Sequence, residues 1–503
     1  VKKIIVIGAG LGGLAVACRL AKCGFSVTVL EKNESLGGKV NYVEAQGFKF
    51  DTGASLLTMK HVFEELFRFC GRRLEDFLTL VRVKPICRYF WADGTQFDAS
   101  DNLEKTEKQI AGIESRDVES FRAFLADSRR KYEVAERTFL KHSLSNLTNL
   151  IKFGHLNDIW TISALRSLDS LVKSYFKSPK LRQLFNRYAT YNGSSPYQTP
   201  ATFSLISYVE FGLGTWYPIG GIYEIPKALA KLGAELGVEF RTGCEVAKIL
   251  TEHERAKGVL LKNGETLAGD IVIANSDAIE TYRNLIDKKA RKVFTDRRLN
   301  KIEPSCSGFV LLLGTNKKFD RLAHHNIFFS DNYKAEFDSI FRDLRPAANP
   351  TIYVCATSRT DESQAPKNCE NLFVLINAPY TSSQTNWEIE AKGYRDLIIE
   401  KLEKFGLDGL KESVIFEQII TPEDFERKYH ANRGSIYGVS SNGIFSAFLR
   451  PSNKAKDIEN LYFVGGTTHP GGGMPLVLLS GKMVCDLITN AKSCDFSDKY
   501  EFD

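Results

Sequence analysis

Lys3-Ile4-Ile5-Val6-Ile7-Gly8-Ala9-Gly10-Leu11-Gly12-Gly13 decides the reading of this chain. A β-branched run enters a Gly-x-Gly-x-x-Gly turn, and Leu14, Ala15, Ala17, Cys18, Leu20 and Ala21 continue with helical character. Gly8 permits the turn out of the strand, Gly10 lets a pyrophosphate reach the backbone, and Gly13 lets helix and strand pack closely. The helix start offers free N–H groups and the positive end of its dipole to phosphates. Gly24 ends the helix, and Ser26-Val27-Thr28-Val29-Leu30-Glu31 reads as the next strand. Glu31 lies 18 residues beyond Gly13, where its carboxylate can accept hydrogen bonds from an adenosine ribose. Strand, helix, second strand and acid in this register predict a dinucleotide site.

At 503 residues the chain calls for two or three domains. A hydrophobic share of 43% with 25% charged residues is ordinary for a globular protein, and a net charge of +6 at this length does not point to nucleic acid. The ten cysteines include no Cys-x-x-Cys and the eight histidines no His-x-x-x-His, so the spacing suggests neither a disulfide framework nor a metal site. No signal peptide is expected ahead of the first strand, and no run reaches the ~18 apolar residues of a spanning helix.

Two further stretches say which dinucleotide. Ser35-Leu36-Gly37-Gly38-Lys39 adds a second glycine pair and a cation that could neutralise a phosphate, ahead of Phe50-Asp51-Thr52-Gly53-Ala54-Ser55. Near the C-terminus, Asn460-Leu461-Tyr462-Phe463-Val464-Gly465-Gly466 runs as a buried strand into glycines. Thr467-Thr468-His469-Pro470-Gly471-Gly472-Gly473-Met474-Pro475 follows, then a helical pattern to about Ile488. This second strand–loop–helix unit is expected to return to the first sheet and to face the far end of a flavin, so FAD is the expected cofactor. His469 reads as a hydrogen-bonding residue rather than a base.

These motifs resemble the bacterial-type phytoene desaturases, members of the FAD-dependent carotenoid desaturase and isomerase family within the amine-oxidase-like fold. The likeness runs nearly end to end. It includes Cys70-Gly71-Arg72-Arg73-Leu74-Glu75-Asp76-Phe77, Asn192-Gly193-Ser194-Ser195-Pro196, Gly214-Thr215-Trp216-Tyr217-Pro218-Ile219-Gly220-Gly221, Leu449-Arg450-Pro451 and Ser480-Gly481. Thr467, Lys39 and Ala54 depart from the usual Gly or Ser, Arg and Pro of that family.

The resemblance implies an α/β fold: a Rossmann-like FAD-binding domain interleaved with a mixed α+β substrate domain and a helical region. The FAD domain is expected at 1–70, 214–289 and 421–503, the substrate domain at 71–116 and 290–420, and the helical region at 117–213. Val81-Arg82-Val83 and Arg88-Tyr89-Phe90-Trp91 should open the substrate domain as strands, and Asn263-Gly264 reads as a hairpin turn. The expected cofactor-binding residues are Gly8, Gly10, Gly13, Glu31, Gly38, Lys39, Ser55, Leu56, Val246, Asn275, Gly465, Gly466, Gly473 and Met474. No catalytic base is nominated.

The implied activity is desaturation of a long acyclic carotenoid by hydride transfer to flavin N5 plus proton loss. Desaturation of a 1-hydroxycarotenoid at its 3,4 bond is preferred over phytoene desaturation, with oxygen or a quinone as electron acceptor. From Phe139 to Leu181 six Lys or Arg stand against two Asp, interleaved with Leu144, Leu147, Leu150, Ile151, Trp160, Ile162, Leu165 and Leu168. By itself that pattern suits an amphipathic helix packing on its own domain with a solvated basic face. The resemblance, to a family whose substrates live in bilayers, implies instead a cytoplasmic protein resting on the inner face of the cell membrane. The competing readings are a carotene isomerase, a terminal oxidase or ketolase, a retinol-saturase-like reductase, an amine oxidase, and a non-catalytic isoprenoid-binding escort protein.

Overall fold

The computed structural model describes residues 1–140, 161–443 and 450–490. Its central element is a five-stranded, all-parallel sheet in the order Leu461–Phe463, Ile271–Ala274, Lys3–Ile7 (β1), Ser26–Leu30 (β2), Glu239–Arg241. Strands distant in the chain are therefore neighbours, and Val6 pairs with Ile273 on one side and Val29 on the other. Every residue of β1 from Ile4 to Ile7 is buried, as a parallel strand covered on both faces requires. Ile4 and Val6 face a layer of helices: Leu11–Lys22 (α1), Glu224–Glu235 and Met474–Thr489. Ile5 and Ile7 face the other way, against a three-stranded antiparallel sheet of Val246–Glu252, Arg255–Leu261 and Thr266–Ala268. Asn263-Gly264 makes the expected hairpin turn there, with Gly264 at φ +90°.

A seven-stranded mixed sheet forms the second body of the fold. Its order is Val414–Ile420, Ser307–Thr315, Glu370–Ala378, Ile352–Cys355, His325–Phe328, Cys87–Phe90, Gln96–Ala99. The long strand Ser307–Thr315 alternates its faces: Phe309, Leu311 and Leu313 pack under the helix Trp387–Lys404, while Val310 and Leu312 join Phe48, Phe50, Phe373 and Phe425 on the opposite side. Both faces are covered, so the strand reads as an unbroken apolar run. The two runs expected to open the substrate domain are both strands, but they go to different sheets. Cys87–Phe90 enters this one, while Leu80–Arg82 pairs with Trp216–Pro218 in a separate two-stranded ribbon. Neighbouring runs on a chain go to different sheets when each finds its hydrogen-bonding edge elsewhere.

Helices Asp117–Ala135, Leu168–Tyr175, Pro179–Asn186 and Leu205–Phe211 pack around Phe121, Phe124, Phe176 and Phe185. Ser178 caps the third of these by accepting from the Leu181 amide, with Pro179 in its first turn. The buried Asp117 carboxylate accepts the Lys177 and Ser178 amides and so fastens the first helix to that cap. Of the basic, leucine-rich stretch singled out in the sequence, Leu144, Leu147, Leu150, Ile151 and Trp160 lie outside the described residues. Among those described, Leu168 is buried and Leu165 is exposed.

Candidate functional site

The glycine turn at the end of β1 sits where the sheet and its helices leave room for a ligand. Gly8 has φ +93°, a conformation that side chains with a Cβ rarely adopt, and its amide donates to the Leu30 carbonyl (2.7 Å), tying the turn to β2. A Cβ on Gly13 would lie 2.2 Å from the Gly8 carbonyl oxygen, so helix and strand approach as closely as the sequence predicted. Asn275, at the end of the neighbouring strand, lies across the turn: Cβ atoms on Gly10 or Gly12 would each fall 2.7 Å from its side chain. The second glycine pair folds onto the first, with the Gly37 amide donating to the Ala9 carbonyl at 2.8 Å.

Glu31 is buried and holds this turn from the β2 side. One carboxylate oxygen accepts the Ala9 amide (2.8 Å), and the other accepts the amide and side-chain nitrogens of Asn33 (both 3.0 Å). Lys39 is half-buried, and its Nζ donates to the carbonyls of Ser435 (2.8 Å) and Ile436 (3.2 Å). Burial pulls its pKa down to about 8 against the opposing pull of Asp277. An ammonium has three N–H donors. Two of them are held by those carbonyls, which leaves one N–H for the phosphate contact expected from the sequence.

The C-terminal loop completes the enclosure. Asn453 donates to the Phe463 and His469 carbonyls and to Ser480 Oγ, and Ser480 in turn accepts the Gly465 amide. Arg450 is buried and donates to the Pro470 and Val439 carbonyls and to Ser441; burial lowers its pKa to about 10. His469 Nε2 lies 2.9 Å from the Phe139 carbonyl, so its ring engages in a hydrogen bond, in line with the part read for it. The positions of Arg450 and Asn453 were not assigned from sequence, because their acceptors are main-chain carbonyls that no residue type signals.

One cavity of about 350 Å³ connects these parts. Gly8, Gly10, Glu31, Gly38, Lys39, Val246, Asn275, Gly465, Gly466, Gly473 and Met474 line it, as do the apolar Val310, Phe373, Leu375, Phe425, Ile436 and Tyr437. Gly13, Ser55 and Leu56 do not. Gly13 is taken up by the helix–strand contact, and Ser55 Oγ is hydrogen-bonded to the Tyr353 hydroxyl at 2.7 Å, away from the glycine loops. Asp51 also turns from the cavity: its carboxylate accepts the Ile222 and Tyr223 amides, and burial raises its pKa to about 7.

A parallel sheet with glycine turns at the ends of two of its strands and an acid at a third defines a dinucleotide-dependent class of protein. The comparisons make this specific. The family of flavin containing amine oxidoreductases matches residues 11–489. A 1-hydroxycarotenoid 3,4-desaturase from a Flavobacterium species is 41% identical over 98% of this chain and 100% of the relative. A 4,4'-diapolycopene oxygenase from a Methylomonas species is 38% identical over 97% of this chain and 98% of the relative. Among solved structures, an oxidoreductase from Methanosarcina mazei superposes with a TM-score of 0.66 at 18% identity, covering 96% of this chain and 100% of its own. The chain therefore belongs to the flavin containing amine oxidoreductases, on the branch of the carotenoid desaturases and oxygenases, and is an FAD-dependent oxidoreductase. The residues present fit that cofactor. Glycines of three turns and the buried carboxylate of Glu31 line one continuous cavity.

Proposed function

We propose that the chain desaturates a long acyclic carotenoid, with 3,4-desaturation of a 1-hydroxycarotenoid preferred over phytoene desaturation. One observation carries the reading: an apolar wall of Val310, Phe373, Leu375, Phe425, Ile436 and Tyr437 shares a single cavity with the glycine loops. A polyene needs such a wall, which offers orientation and exclusion of water rather than polar contacts. The preferred end group follows the name of the 41% identical relative.

In this reading Gly8 and Gly10 leave the backbone open to the pyrophosphate, Glu31 accepts from the ribose, and the main chain at Val246 meets the adenine. Gly38, Lys39, Asn275, Gly465, Gly466, Gly473 and Met474 enclose the rest, while Gly13 acts through packing. Bound there, FAD would supply a two-electron acceptor for a hydride from an allylic carbon, with a proton lost from the neighbouring carbon as the new C=C bond forms. The carboxylates on the cavity wall are already engaged: Glu31 by Ala9 and Asn33, Asp277 by the Ile279, Glu280 and Asn432 amides, Glu280 by Arg283 and Asn284, and Glu245 by Lys262. The proton is accordingly assigned to water. Oxygen or a quinone takes the electrons. The substrate's insolubility in water supports contact with the cytoplasmic face of a membrane, and among the described residues no helix is long and apolar enough to cross one.

The test is co-expression in a non-pigmented host supplied separately with phytoene, lycopene and a 1-hydroxycarotenoid. A red shift with loss of two hydrogens on the 1-hydroxycarotenoid is expected. The second reading, terminal oxygenation, is favoured by the relative named 4,4'-diapolycopene oxygenase. A product gaining oxygen would establish it, and an unchanged mass with a shifted spectrum would mean isomerisation.

A further inference from the structure

The antiparallel strands His325–Phe328 and Ile352–Cys355 set His325 directly opposite Cys355. Residues so paired project from the same face of the sheet. The His324 carbonyl accepts the Ala356 amide at 2.8 Å, which holds His324 beside the same strand end. The two imidazoles stand edge to face with centroids 4.3 Å apart. One donor atom from each of His324, His325 and Cys355 lies within 4.8 Å of the other two, and all three side chains are buried.

A second observation points to a ligand. The Nε2 atoms of His324 and His325 have no hydrogen-bond partner among the described residues, although the two residues are only 3% and 2% exposed. Buried polar nitrogens are almost always paired. The opposite ring nitrogens are held: His324 Nδ1 by Thr360 Oγ1 at 2.6 Å, and His325 Nδ1 by the Tyr353 hydroxyl at 2.8 Å. Partners of this kind orient the rings of metal-binding histidines.

We propose that His324, His325 and Cys355 form a site for one copper(I) ion. Thiolate and imidazole are the donors that this soft cation prefers. Charge separates it from zinc(II). One thiolate and two neutral imidazoles cancel a single positive charge, whereas a divalent ion would leave a net charge among buried side chains. Arg187, whose field reaches His325, is paired with Glu210, and Asp51, whose field reaches Cys355, holds the Ile222 and Tyr223 amides. Structural zinc also takes four ligands, and three are gathered here. Binding replaces the thiol proton, which passes to solvent, and no electron moves. Spacing along the sequence shows no such site, because strand pairing alone brings Cys355 to the two histidines.

A buried ion enters as the chain folds. The experiment therefore uses flavin-loaded protein purified from cells grown with added copper, with metal analysis and copper K-edge X-ray absorption. The expected result is one copper(I) per chain with one sulfur and two nitrogen neighbours. Cys355→Ser should lose at least about tenfold in copper while keeping its flavin. Protein without copper, or with zinc in its place, overturns the proposal. So do two sulfur neighbours, which would put the ion at Cys23 and Cys485, whose sulfurs lie 4.0 Å apart. If Cys355→Ser does not fold, the wild-type spectrum decides alone.

Discussion

The Glu31 carboxylate accepts the Ala9 amide and both Asn33 nitrogens, so it shapes the glycine turn before any ligand arrives. A hydrogen bond to a charged group is worth roughly 1.5–3 kcal/mol, and a buried amide left unpaired adds a penalty. Glu31→Ala is therefore expected to weaken FAD binding by about 10- to 100-fold, with Glu31→Gln, which keeps one acceptor, falling between. Flavin stoichiometry after dialysis checks this, and an unchanged value would remove Glu31 from the ribose. Asp51 gives a pH signature. Its folded-state pKa is raised to about 7, so it binds its proton more tightly folded than unfolded. The stability it contributes is present below pH ~4 and is lost as the pH rises to about 7. Thermal melts of wild type and Asp51→Asn should show the wild type losing ground to the variant between pH 5 and pH 8. Of these two residues, the place of Glu31 beside the glycine turn was legible from its spacing. Asp51 was not, because its partners lie 171 and 172 positions away.

Two helices meet at the scale of elements. Met474–Thr489 packs along α1, and a Cβ on Gly481 would lie 3.0 Å from the Val16 amide nitrogen and 3.3 Å from the Ala15 Cβ. Gly481→Val therefore forces the helices apart, at about 1–3 kcal/mol for an overpacked contact. Both helices begin at cavity-lining glycine loops, so the variant should lose melting temperature and flavin together, with Gly481→Ala milder. A stability loss with flavin fully retained would separate the helix contact from the site. The glycine turn, α1 and the C-terminal strand–loop–helix were all readable, because glycine and helical periodicity act over a few residues. The ribbon of Leu80–Arg82 with Trp216–Pro218 was not, since an apolar run of that length does not say which edge it joins.

At the scale of the whole molecule, strands from the first 30 residues, from 239–241, from 271–274 and from 461–463 build one parallel sheet. Strands from 87–99 and 307–420 build the seven-stranded one. The cavity draws its glycines from the first and much of its apolar wall from the second. Product analysis belongs at this scale, since substrate length and end group depend on both bodies together. The order of strands within each sheet could not be read from the chain, because strand pairing leaves no local mark.

The sequence by itself determined the dinucleotide turn, the flavin class and the strands and helices around them. Those features depend on backbone freedom, hydrophobic period and spacing within short windows. Only the tertiary structure decided that Lys39 holds two carbonyls, that Asn275 covers the glycine turn, and that His324 and His325 face Cys355. Each of these joins residues about 30 to 400 positions apart, and only the packing of the two sheets and their strand register brings such groups within bonding distance.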